Sequence, residues 1–167
     1  YNKVQVIVLS RAEQLREEID AKILQIPDSM NRRCAFVHLY GVSALCVLLA
    51  EKRNLNSELA LIAGMLHDLY GYLTFSKESE WKNHAIPCAD FAKQYLRQQG
   101  GFKQQEIAAI YSAIYHHSAK GEIHTAFDEL LKDADAFQHD LYDPCSKLSE
   151  LHAKRVKKVR EELGIST

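Results

Sequence analysis

An uninterrupted apolar run, Ala60-Leu61-Ile62-Ala63-Gly64-Met65-Leu66, delivers a histidine and an aspartate side by side at His67-Asp68, with Leu69 beyond. The run is satisfied only inside a core, and it carries both polar groups in with it. Burying a carboxylate or an imidazole without a partner is costly, by several kcal/mol for an unpaired charge. Any fold this chain adopts must therefore bring partners to both groups. They can satisfy one another by hydrogen bonding, as buried polar groups usually do. The other solution is a divalent ion, which accepts nitrogen from His and oxygen from Asp.

Two more segments repeat the pattern. His38 lies in Arg33-Cys34-Ala35-Phe36-Val37-His38-Leu39-Tyr40, and its helical neighbours are Cys34, Val42, Leu45 and Leu49. That spacing puts His38 in the apolar stripe of a helix rather than on its wet face. Asp135 lies in Leu130-Leu131-Lys132-Asp133-Ala134-Asp135-Ala136-Phe137, again helical in type, and Asp133 offers the same chemistry two residues earlier. Each residue alone reads as a satisfied core group. Together, three helices would point metal-competent groups inward.

The hydrophobic period is helical almost throughout. Helices are expected near residues 9–25, 31–53, 56–69, 83–99, 103–117, 125–141 and 146–163. This predicts an all-α chain, a single compact bundle of about six to seven helices occupying 1–167 as one domain. Asn56 or Ser57 caps the third helix, Asn83 the fourth, and Gly100-Gly101 ends that fourth helix. Only Tyr1–Ser10 is strand-like in composition; it is expected to continue into the first helix or to remain an unpaired lead. Gly41 and Gly64 fall inside helices, each costing about 1 kcal/mol relative to Ala. Close helix approach near His38 and His67 would explain them, and so would simple tolerance. The segment 71–82 is polar with Tyr72, Phe75 and Trp81 interleaved. Long loops are often functional, so these aromatics either form a pocket mouth that stacks on a base or sugar, or cover the core.

Composition bounds the partners. The chain has 167 residues, 47% apolar and 26% charged, with a formal net charge of −1. Nothing there suggests binding to a nucleic-acid polymer or a membrane. The longest uninterrupted apolar stretches fall short of the roughly 20 residues that cross a bilayer. No secretory signal is visible, and a start at Tyr rather than Met leaves the natural N-terminus an open question. Cys34, Cys46, Cys88 and Cys145 are scattered without a CxxC pair, and Cys34 and Cys88 read as buried thiols. The expectation is a reducing, cytoplasmic setting.

The order His38, His67-Asp68, Asp135 resembles the HD-domain superfamily of metal-dependent phosphohydrolases. Ala63-Gly64-Met65-Leu66-His67-Asp68 is similar to that family's apolar run into its His-Asp doublet, and Lys132-Asp133-Ala134-Asp135-Ala136-Phe137 to its closing Ala-Asp segment. The resemblance spans roughly residues 30–140. It implies that His38, His67, Asp68 and Asp135 hold a first divalent ion, with Asp135 favoured over Asp133 because the family's Asp follows the Ala. His84 and the His116-His117 pair extend the likeness to members that hold two ions or grip phosphate with histidines. By that likeness His116 takes the ligand position and His117 lies on the rim. His84, at a helix start, also suits phosphate through the helix dipole. His124 and His152 read as surface residues, and His139-Asp140 as a doublet without the apolar run.

The implied chemistry is hydrolysis of a phosphate mono- or diester, nucleotides among them, by metal-activated water. Asp68, His84 and His116 would be the catalytic groups, with His117, Lys120, Lys132 and Arg33 as candidates for substrate contacts. One or two ions are implied, with Mn, Fe, Ni, Co, Mg and Zn all compatible with a mixed His/Asp site. The partner is then a small phosphorylated molecule. Some nucleotide-cleaving relatives carry an acidic residue shortly after the doublet. Here Leu69-Tyr70-Gly71-Tyr72-Leu73 stands there, which leaves the general acid unassigned. Two alternatives use the same ligands: a di-iron oxygenase of HD type, and a non-catalytic binding module stabilised by metal. The basic run Lys154–Arg160 reads as a solvated helix face.

Overall fold

A computed structural model describes residues 10–165, in which eight α-helices and one 3₁₀ segment occur. The lead Tyr1–Leu9 lies outside the described residues. In chain order the helices are α1 (Arg11–Leu24), α2 (Ser29–Arg53), α3 (Ser57–Leu66), α4 (Leu69–Thr74), α5 (Ala85–Gln99), α6 (Gln104–His116), α7 (Ala126–Tyr142) and α8 (Glu150–Leu163).

Local chemistry sets most of these ends. Ser10, Asp28, Asn56, Thr125 and Ser149 each accept a hydrogen bond from a backbone N–H in the first turn of the helix they precede. Such caps satisfy donors that have no partner within the helix. Asn54 ends α2 in the left-handed region at φ 54°, and Gly100 ends α5 at φ 71°. The expected N-cap Asn83 instead closes the 3₁₀ segment Glu78–Asn83, and His84 itself precedes α5.

α2 is the central helix, packed by α1, α3, α4 and α7. Its length and hydropathy would suffice to cross a membrane. Here Ala35, Leu39, Val42, Cys46 and Leu49 are fully buried against those neighbours, as is the stripe Ile62, Ala63, Met65 and Leu66 of α3. Cys34 is only half-buried, whereas Cys46 and Cys88 are buried. α5 and α6 pair with each other, and α6 and α8 flank α7.

Two departures from the expected pattern matter. The predicted helix 56–69 breaks at the doublet, with Asp68 leaving helical geometry at φ −121°, ψ 2° before α4 begins. Adjacent helical residues do not face one another, and the break turns Asp68 to the same side as His67. The predicted loop 71–82 is largely ordered as the end of α4 and the 3₁₀ segment.

Candidate metal centre

α2 contributes His38, the end of α3 His67, and the break Asp68; α7 contributes Asp135, the start of α5 His84, and the end of α6 His117. His38 Nε2 and His67 Nε2 stand 3.0 Å apart. Asp68 Oδ2 is 3.5 Å from each, and Asp135 Oδ1 is 3.4 and 3.9 Å away. A second set lies on the other oxygen of Asp68. Asp68 Oδ1 is 3.1 Å from His84 Nε2 and 3.3 Å from His117 Nε2, which are themselves 2.8 Å apart. Asp68 thus belongs to both sets, one oxygen to each.

All four imidazoles are held alike. Nδ1 of His38 lies 2.8 Å from Gln138 Oε1, that of His67 2.7 Å from Gly64 O, that of His84 2.6 Å from Trp81 O, and that of His117 2.6 Å from Ile114 O. A carbonyl oxygen only accepts, so each Nδ1 carries the proton it donates. Each Nε2 then presents a lone pair to the opposite Nε2. Ser118 Oγ, 3.3 Å from His84 Nε2, can donate one proton to the second set. Otherwise two facing lone pairs call for a cation or a shared proton. Asp68 Oδ1 and Asp135 Oδ1 are buried without a hydrogen-bond partner. Buried orphaned carboxylate oxygens are expensive, and inward Nε2 atoms with Nδ1–H fixed by carbonyls are the usual arrangement around a metal. The donor set fits divalent ions.

Charge follows the same geometry. Burial opposes protonation of His38, but hydrogen bonding to Asp68 and the charges of Asp135 and Asp68 outweigh it and raise its pKa to about 9. Burial dominates at His67 and lowers its pKa to about 3. The pair therefore shares one proton, which stays on His38. Burial pushes Asp68 and Asp135 upward, but the surrounding imidazoles, and Lys120 beside Asp135, hold both well below the usual carboxylate range. For His84, burial is outweighed by Asp68, and its pKa is raised.

Several sequence-predicted positions are corrected. The resemblance implies His116 as ligand and His117 on the rim, but it is His117 that stands with Asp68 and His84 in a group that could hold an ion. His116 Nδ1 instead lies 3.4 Å from Asp128 Oδ2, and its ring stacks on His124 at 3.8 Å. Adjacent residues at a helix end point in different directions, and only His117 turns towards Asp68. Lys132 is fully buried, but its Nζ donates to Glu122 O and Glu129 Oε1 and meets His124 Nδ1, away from both sets. Arg33 is exposed and reaches the Tyr142 hydroxyl. Lys120 does reach the centre, donating to Asp135 Oδ2 and to Lys132 O. Gln138 had not been singled out. It lies one turn after Asp135 on α7, a spacing that shares a helix face. The same logic recovers His139, whose Nε2 is 3.5 Å from Asp135 Oδ1. His152 is half-buried and, with His139, lines the cavity over the centre.

The HD domain model matches residues 35–140. The chain belongs to the HD domain family. All six converging residues lie within the matched stretch, whereas α8 and its His152 lie beyond it. A curated relative, Ribonuclease Y of Lawsonia intracellularis (strain PHE/MN1-00), is 25% identical over 151 residues, which covers 87% of this chain and 27% of the relative. The chain thus spans about a quarter of that relative's length. No solved structure gives a significant match. The HD domain is a fold of metal-dependent phosphohydrolases, and the buried His/Asp groups here are of the kind that holds divalent ions.

Proposed function

We propose that this HD domain hydrolyses a phosphate ester with two divalent ions, one in each His/Asp set. The observation that carries this is the opposed Nε2 pairs, each with Nδ1–H committed to a carbonyl, on the two oxygens of Asp68. Bound there, the ions would lower the pKa of a water ligand towards neutrality and offset charge developing on the phosphoryl oxygens. Asp68 bridges the two sets and fixes their spacing. Asp135 completes the first set, held through its other oxygen by Lys120. Gln138 and the backbone carbonyls of Gly64, Trp81 and Ile114 lock the imidazole orientations, a role whose loss typically costs 10- to 100-fold in metal affinity. Above the centre lies a cavity of about 460 Å³, walled in part by Tyr72, Trp81 and Ser118, large enough for a phosphoryl group and part of its substituent. A small phosphorylated molecule, nucleotides included, is the substrate this reading supports.

Elemental mass spectrometry on protein reconstituted with each candidate ion tests the reading. The wild type should hold about two equivalents. Asp135→Ala should lose the first ion, His84→Ala the second, and Asp68→Ala both, with helical circular dichroism retained and hydrolysis of p-nitrophenyl esters abolished. Failure to bind any ion, or two ions retained in Asp68→Ala, would remove these residues from a metal centre.

A further inference from the structure

The outer face of α2 is apolar and uncovered among the described residues. From Cys34 to Ala50 the helix carries no Asp, Glu, Lys or Arg. A helix on the surface of a globular domain ordinarily turns charged groups outward, and one that is apolar all round is covered all round. Here α1, α3, α4 and α7 pack on the inner sides, and less than half of the most apolar stretch is buried. His38 and Ser43 are buried, and the Tyr40 hydroxyl donates to Asp20 of α1. The polar groups of this stretch therefore look inward or sideways, and none faces out.

What remains outside is a stripe. Met30, Val37 and Leu48 are exposed by 58%, 39% and 47%, and Ala44 is exposed between the last two. Half-buried Gly41 lies in line with them. Residues three and four apart share a helix face, and by that spacing Arg33 stands at one end of the stripe and Glu51 at the other. Both are exposed, and neither makes an ion pair among the described residues. Arg33 donates to the Tyr142 hydroxyl, and Glu51 accepts from Ser57 Oγ. Tyr142, itself 52% exposed, extends the apolar face at the Arg33 end.

We propose that this face is the interface with a second copy of the chain, α2 packing antiparallel on α2 about a two-fold axis near Val42 and Ser43. The direction follows from the charges. A parallel pair would set Arg33 against the partner's Arg33, and Glu51 against the partner's Glu51. The antiparallel pair sets Arg33 against the partner's Glu51, and does so at both ends, as an isologous contact requires. The two residues lie almost equally far from the axis, so they meet to within about one residue's rise, ~1.5 Å.

The shapes agree with the charges. Gly41 and Ala44 fall at the crossing, and helix separation depends on the side chains at the contact, so these two let the helices come close. The partner's Leu48 comes level with Val37, at the edge of a hollow of about 140 Å³ lined by Cys34, Val37, Gln138 and Tyr142, which it can fill. His38 and His139 line the same hollow. The pairing therefore backs the first His/Asp set, whatever the site hydrolyses.

Sedimentation equilibrium of the full chain tests the pairing. The average mass should rise with concentration from 19.1 kDa towards twice that, over the micromolar range expected of a small interface. Ala44→Glu, which brings like charges together at the two-fold axis, should weaken association by about tenfold or more. Arg33→Glu and Glu51→Arg should each weaken it by about tenfold, since each sets like charges side by side twice. The double variant should return to within about threefold of the wild type. These changes lie on the surface, so helical circular dichroism should be unchanged. Should Ala44→Glu fold poorly, the charge exchange still decides. A monomer at every concentration, dimers that persist in folded Ala44→Glu, or a double variant no stronger than the single ones would overturn the pairing. A monomer that partitions onto phosphatidylcholine vesicles would give the face to a bilayer instead.

Discussion

A metal site made from histidines must first give up its protons. In the metal-free protein His38 is protonated at neutral pH, because its pKa is raised to about 9, whereas His67, lowered to about 3, is not. Asp68 and Asp135, held well below their usual range, have no proton to lose. Loading the first set therefore expels the His38 proton. Since a raised pKa favours the proton-bound, metal-free form, affinity for the ion should rise about tenfold per pH unit up to about pH 9 and level off above it. Calorimetric titration in buffers of different ionisation heat should show about one proton released by the first set near pH 7 and almost none above pH 10. The raised pKa of His84 adds to the release in the same direction when the second set fills. Zero release at pH 7 would mean that no proton bridges the first pair. At this scale the doublet and its partners His38 and Asp135 were legible, because an apolar run cannot bury such groups without purpose. The choice between His116 and His117 was not, since it turns on the rotation of a helix end.

At the scale of elements, the site depends on how closely α2 and α3 approach. Gly64 lies against Ser43 of α2, and a Cβ built there would sit 2.6 Å from Ser43 Cα and 2.8 Å from its backbone nitrogen. Backbone cannot yield as a flexible side chain can, so Gly64→Ala must push the two helices apart. Such overpacking costs about 1–3 kcal/mol. It would also move His67, one turn along α3, relative to His38. Thermal melting should show the lower stability, and the variant should bind the first ion more weakly. An unchanged melting temperature would mean that the bundle absorbs the methyl group elsewhere. Gly41 is the milder case, because a Cβ there meets the Gln138 side chain at 3.0 Å rather than backbone. The sequence left tolerance and close approach equally open for both glycines, and contact with another element decides between them. Helix ends carrying Asn56 and Gly100 were readable because those residues act locally. The break at Asp68 was not, because it is imposed by what the residue must face. The 3₁₀ segment escaped notice because its short polar turns lack an amphipathic period.

Across the whole molecule, a second buried ion network stands behind the candidate metal centre and ties α8 to it. Asp133 is fully buried and accepts from Arg155 at 2.7 Å, Arg53 at 2.9 Å and Lys158 at 3.0 Å, drawing together α2, α7 and α8. Arg155 also donates from Nε to Lys120 O at 2.9 Å, and Lys120 holds Asp135. The basic run of α8 is therefore not all solvated, because Arg155 is its buried anchor. Asp133 and Asp135 offer the same carboxylate two residues apart, yet on opposite sides of α7 they serve different ends. Removing one partner from a buried ion pair typically costs 3–5 kcal/mol, since charges are left uncompensated. Here Arg53 keeps Glu162 and Arg155 keeps Glu129, which places Asp133→Ala near the lower end of that range. For a chain of this length about 3 kcal/mol corresponds to a fall of roughly 6–12 °C in Tm. Below that melting point Asp133→Ala should still hold both ions, whereas Asp135→Ala should lose one. If Asp133→Ala instead lost an ion with its Tm intact, the two aspartates would have exchanged roles, and α8 would be a bystander rather than the brace behind the site.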